Sequence, residues 1–140
     1  MIKTTGVRGI RNNNPGNIEK GARWKGLAKQ QLDSRFATFV NPLWGIRAMG
    51  RILRSYRRRG VKTVAQIINV WAPSHRTDGT FENHTKAYID RVCHITGWEP
   101  STVVTEADYA EIAYAMHIVE NGGHFYNKRM FVDGMKLLDA

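Results

Sequence analysis

Cysteine is nearly missing from the 140-residue sequence: Cys93 stands alone, so no disulfide can form within the chain, and a buried, inert thiol is the simplest expectation. No window approaches the run of about 18 apolar residues needed to span a bilayer. The opening "MIKTTGVRGI" also lacks the apolar centre of a secretory signal, so neither a transmembrane segment nor a signal peptide is expected. Proline is scarce, at four residues, and no linker-like, low-complexity or repeated tract divides the chain. Acidic residues are few as well: 12 Asp and Glu stand against 21 Lys and Arg, for a net charge of +9. That balance predicts attraction to polyanions, whether nucleic acid, anionic membrane or bacterial envelope. There is no glycine-rich phosphate loop, and the serines are too few and scattered to nominate a nucleophilic triad. His75, His84, His94, His117 and Asp78 lack zinc-type spacing, so neither a metal nor another cofactor is expected.

What is present is ordinary for a globular protein: 42% hydrophobic and 24% charged residues over a length that suits one domain, residues 1–140. The segment "RGIRNNNPGNIEKGARWKG" is dense in Asn, Gly and Pro and reads as loop. "SRFATFV" alternates weakly, as half of a small hairpin would. Four amphipathic helices follow. The first is capped by Asn41, enters through Pro42, carries Ile46, Met49, Leu53 and Tyr56 inward, and ends near Gly60. The second runs from a Thr63 cap to Trp71, before Pro73; the third covers "ENHTKAYIDRVCHIT" and stops at Gly97. The fourth starts at Thr105, with Asp108 in a capping-box position, and runs to Glu120. A short last helix over 128–138 is interrupted in the pattern by Gly134.

In "AYAMHIVENGGHFY" the spacing of Ile112, Met116 and Glu120 puts a carboxylate on the inward stripe, at the helix end where the macrodipole disfavours negative charge. Burial and that helix end both raise an acid's pKa, which suits a general acid; a structural pairing with Arg or backbone amides would account for the position equally well. Gly122 and Gly123 would let the chain turn sharply and leave room for a ligand. Among other acids, Glu82 begins the third helix, where the dipole favours the ionised form of a base or nucleophile. Glu19, Asp33 and Asp78 fall in or beside loops. The amides of Asn13, Asn14 and Asn17 could meet N-acetyl and hydroxyl groups of a sugar, or simply build a turn. Phe125 and Tyr126 could line a cleft, and Trp24, Trp44, Trp71 and Trp98 could stack on sugars, although Trp44 and Trp71 fall on or beside apolar stripes and read better as core.

"IAYAMHIVENGG" resembles the segment of soluble lytic transglycosylases and goose-type lysozymes in which a helix ends in the catalytic Glu, here Glu120, with Asn121 where Ser is usual. "ENHTKAYIDRV" is similar to a later motif of those enzymes and matches it at Glu82, Thr85, Tyr88 and Ile89, with the Glu-to-Thr spacing stretched. The two motifs occur here in reversed order, as a circular permutation would produce. "NNNPGNI", "RWKG", "FATFVNPLWGIRAM" and "WAP" resemble phage and prophage murein hydrolases and structural proteins, a likeness that covers roughly residues 8 to 127. The resemblance implies a mainly α, single-domain lysozyme-like fold with a small β-hairpin or loop lobe, in permuted order. It also implies a peptidoglycan-cleaving enzyme acting on the β-1,4 bond between MurNAc and GlcNAc; separately, a monomer is expected. Glu120 would be the acid and then the base of a lytic transglycosylase, with Tyr88 holding it, Glu82 as a second carboxylate, and Asn13, Asn14, Asn17, Asn121, Phe125 and Tyr126 toward substrate.

A hydrolytic muramidase is the alternative chemistry. A third reading is a non-catalytic basic phage protein that binds cell wall or nucleic acid, for which "RSYRRRG" is the strongest feature. Those arginines are also simply the solvated last turn of a helix, and nucleic acid is not the expected partner. Phage virion or lysis proteins are the partners expected, with the chain in the virion or the host cytoplasm and delivered to the periplasmic wall by other means.

Overall fold

The computed structural model describes residues 6–75, 78–81 and 83–140. Among them the chain is mainly helical, folded around one core. The helices are α1 (Arg8–Arg11), α2 (Pro42–Arg58), α3 (Val64–Trp71), α4 (Thr85–Thr96), α5 (Tyr109–Asn121) and α6 (Lys128–Met135), with a 3-10 turn at Glu106–Asp108 leading into α5. None is long and apolar enough to cross a membrane.

Local chemistry sets the boundaries. Asn41 caps α2 by accepting from the Leu43 and Trp44 amides, with Pro42 at the first position, where its missing N–H costs nothing. Thr63 and Gln66 form a capping box that starts α3. The Asp108 carboxylate accepts from the Thr105 amide and hydroxyl, tightening the 3-10 turn. Helix α2 is the axis of the molecule: Ile46, Met49 and Leu53 are fully buried and meet Ile68, Ile112, Met116 and Phe131 in the core. Around it, α5 packs against α4 and α6, and α3 against α4.

Several expectations are revised. The Asn-rich segment is not all loop, because Arg8–Arg11 form a helical turn, and "SRFATFV" is not a continuous strand. It makes isolated antiparallel bridges, Glu19 with Phe36 and Leu27 with Phe39, which hold the loop lobe together. The third helix begins at Thr85, three residues after its expected start. Gly134 does not interrupt α6. A Cβ there would lie 2.5 Å from Ile46 Cγ2, so the glycine is the point at which α6 closes onto α2. Cys93 is only half-buried, and desolvation raises its thiol pKa, which keeps it protonated and unreactive.

The loop lobe is tied to the helices by a buried polar network. Asp33 receives a two-pronged guanidinium contact from Arg8 (2.6 and 2.7 Å), the Asn12 amide, and the backbone amides of Arg35 and Phe36. Led by the Arg8 contact, these donors hold its carboxyl far below the usual range. Asp33 is thereby an anchor for the lobe.

Candidate active site

Glu120 lies in the last turn of α5, half-buried, where three elements converge on its carboxyl group. Its Oε1 accepts from Asn17 Nδ2 at 3.0 Å. Its Oε2 accepts from Trp71 Nε1 at 3.2 Å and from the Tyr88 hydroxyl at 3.0 Å. Asn17 Nδ2 also reaches the Glu120 carbonyl at 3.3 Å, which gives one of the orphan acceptors at the end of α5 a partner. Trp71 is the last residue of α3 and Tyr88 lies on the first turn of α4, so both helices present polar tips at one point while their apolar bodies stay in the core.

The donors are all neutral. Burial pushes the Glu120 carboxyl pKa up, and the hydrogen bonds from Asn17, Trp71 and Tyr88 pull against it without reversing the shift. Burial, followed by the charge of Glu120, raises the Tyr88 phenol well above its ordinary value, so it is a permanent O–H donor here.

Asn17 is placed by backbone that Asn tolerates better than other non-glycine residues. It and Asn13 adopt left-handed conformations, with φ of 51° and 53°. Helix α1 packs behind Asn17: a Cβ on Gly9 would come 2.8 Å from Asn17 Oδ1 and closer still to Asn121 Oδ1. Only glycine lets α1 lie against both carboxamides.

Two concavities open beside the carboxyl group. One of about 330 Å³ is lined by Gly16, Asn17, Glu19, Arg35, Trp71 and Glu120, among others. The second, of about 280 Å³, is lined by Asn83, His84, Ala87, Tyr88, Val119 and Glu120. Asn83 belongs to both, as Glu120 does, so the two concavities adjoin at these residues. In the first concavity Glu19 is ion-paired with Arg35 at 2.9 Å.

Not every candidate residue reaches this cleft. Glu82 lies outside the described residues. Asn14 is fully buried and works as an internal clasp: its Nδ2 donates to the Ile18 and Ala37 carbonyls and its Oδ1 accepts from the Ile18 amide. Asn13 donates to the Phe39 carbonyl, and Asn121 to the carbonyls of Pro15 and His117. These three amides stitch the loop lobe to itself and to α5, and none lines either concavity.

Phe125 and Tyr126 are also turned elsewhere, because their backbone amides donate to His117 Nε2 and the Tyr126 ring stacks on the imidazole. Gly122 and Gly123 line neither concavity; with Gly122 left-handed at φ 71°, they turn the chain away toward His117. Asp78 closes a turn by accepting from Thr80. Sequence reasoning weighed Trp71 for sugar stacking, preferred it as core and missed its bond to Glu120, and it passed over Asn83. The signal for Trp71 was its place on the last turn before Pro73, where an indole N–H comes free of the core; Asn83 carried no signal of its own.

No family model matches the chain. Over 125 residues it is 39% identical to Protein P5 of Pseudoalteromonas phage PM2, an alignment covering 86% of this chain and 74% of that protein. The chain belongs to the family of Protein P5. It is thus related to a bacteriophage protein.

Proposed function

We propose that this P5-family chain is a peptidoglycan-cleaving enzyme with a lysozyme-like, permuted fold, which breaks the β-1,4 bond between MurNAc and GlcNAc as a lytic transglycosylase. The observation that carries the reading is Glu120: a carboxyl group with raised pKa, held by three neutral donors, where two concavities adjoin. A carboxyl group whose neutral form burial favours, and which is open to a ligand, can serve as a general acid. Among the described residues Oε1 has one donor and Oε2 two, which leaves Oε1 the freer lone pair to carry the proton.

In the proposed cycle the Glu120 proton passes to the glycosidic oxygen as the bond from that oxygen to the MurNAc C1 breaks. The carboxylate, steadied by Asn17, Trp71 and Tyr88, then takes the proton of the same sugar's C6 hydroxyl. That oxygen bonds to C1, closing a 1,6-anhydro ring and returning the proton to Glu120. Among the described residues no carboxylate is bonded to Glu120, which suits this route, since the substrate supplies its own nucleophile. Kinship with a bacteriophage protein suits an enzyme that opens the wall for a phage, with virion or lysis proteins as its partners.

Glu19 supports one second reading. It lines the same concavity as Glu120 and, if released from Arg35, would provide the second carboxylate of a hydrolytic muramidase. Mass spectrometry of muropeptides released from purified peptidoglycan separates the two. Anhydro-muropeptides are the expected product, reducing ends would replace the transglycosylase with the muramidase, and intact peptidoglycan would leave the chain a wall-binding protein.

A further inference from the structure

The cleft does not stop at Tyr88. A third concavity of about 460 Å³ is lined by Ser74, Phe81, Asn83, His84, Lys86 and Asp90, among others, and it shares Asn83, His84 and Ala87 with the second. The second in turn shares Glu120 and Asn83 with the first. The three adjoin in a row that runs from beside the carboxyl group to Ser74, Phe81 and His84. Asn83 lines all three and is fixed there, its side-chain amide donating to the Pro73 carbonyl at 2.9 Å and its backbone amide to the Ser74 carbonyl at 3.3 Å.

At the far end Phe81 is 56% exposed, a large apolar ring left in solvent. It is held in place nonetheless. His75 pairs with it across an antiparallel bridge, with ring planes at 86° and centroids 5.9 Å apart. His84 packs on it at 4.8 Å and 61°. The wall of this concavity carries the Lys86–Asp90 ion pair at 3.0 Å. An apolar aromatic ring set among amide, imidazole, ammonium and carboxylate groups matches the two-sided chemistry of a pyranose, which offers C–H bonds on its face and hydroxyl or acetamido groups on its rim.

We propose that Phe81 and His84 form a glycan-binding platform that grips a sugar unit remote from the bond at Glu120, so that the protein selects long strands over short ones. The occupant is a β-linked amino-sugar polymer, because the platform adjoins, through Asn83 and His84, the concavity that Glu120 lines; in this respect the inference rests on the proposed function. Binding of remote units can lower the barrier at the reacting bond only for strands long enough to reach them.

The test uses the full chain carrying Glu120→Gln, so that ligands survive, and measures affinity for peptide-free GlcNAc–MurNAc disaccharide and hexasaccharide by calorimetry. The hexasaccharide binds more tightly, and adding Phe81→Ala removes about tenfold of that advantage while leaving disaccharide binding unchanged; His84→Ala acts in the same direction. Phe81 is exposed, and thermal melting verifies that the variants stay folded. A hexasaccharide advantage that survives Phe81→Ala overturns the platform alone. Failure of either saccharide to bind the Glu120→Gln protein overturns both the platform and the reading beneath it.

Discussion

Four asparagines within six residues, Asn12, Asn13, Asn14 and Asn17, carry different tasks that their identity does not announce. Asn14 bonds three backbone groups in the interior, whereas Asn17 aims its amide at Glu120. Asn14→Ala therefore strands buried backbone donors and acceptors and destabilises the fold by about 3 kcal/mol or more, measurable by urea denaturation. Asn17→Gly keeps the left-handed backbone without strain, costs the fold far less, and lowers wall-cleaving activity roughly 10- to 100-fold through a misplaced acid.

Tyr88→Phe makes a different kind of change. Removing a donor to Oε2 takes away support for the ionised carboxylate, so the Glu120 pKa rises further. The protonated acid then persists to higher pH, and the alkaline limb of the rate–pH profile moves upward. A limb that stays in place, or moves down, would mean that Tyr88 does not act on Glu120. Sequence periodicity placed Glu120 on the inner stripe of its helix, and its burial-raised pKa follows the physics argued from that position. Of the donors, Tyr88 was named through the family resemblance, whereas Trp71 was read as core; by pattern both are core residues, and only their polar tips reach the carboxylate.

At the scale of elements, α2, α3 and α5 were legible because caps and apolar spacing agree; Asn41 with Pro42 and Thr63 with Gln66 are strong starts. Helix α1 was not legible, since four residues hold too little periodicity, and its Gly9 answers to tertiary packing against Asn17 and Asn121. Gly134 misled for the same reason: its helix propensity is poor, yet contact with Ile46 decides the position.

The turn after α5 has a pH dependence of its own. His117 is fully buried, its Nδ1–H donating to the Tyr114 carbonyl at 2.6 Å and its Nε2 accepting from the Phe125 and Tyr126 amides. Burial lowers its pKa from 6.5 to about 4. Between those values the unfolded chain binds a proton that the folded chain does not, so this contribution is complete above 6.5 and is lost as pH falls through the folded pKa. The full span amounts to at most about 3 kcal/mol. Comparing the wild type with His117→Asn across this range isolates the effect from other titrating groups. The wild type loses stability on acidification more steeply than the variant, and parallel slopes would contradict the assignment.

For the molecule as a whole, charge and helix content were evident from composition and spacing, while the convergence on Glu120 arises from chain segments far apart in sequence. Asn17 is 103 residues from Glu120, Trp71 is 49 and Tyr88 is 32, and no local pattern reports such meetings. Under the proposed function, the +9 charge favours approach to an anionic wall, and the concavities beside Glu120 are where a strand would bind.

The central claim is that Glu120 is the acid. The most direct measurement is solubilisation of purified sacculi by Glu120→Gln beside the wild type, with thermal melting of both at neutral pH. The account predicts lysis reduced at least about 100-fold in a variant that stays folded and melts close to the wild type, since a neutral amide replaces a carboxyl group whose neutral form burial favours. Undiminished lysis by folded Glu120→Gln would contradict it.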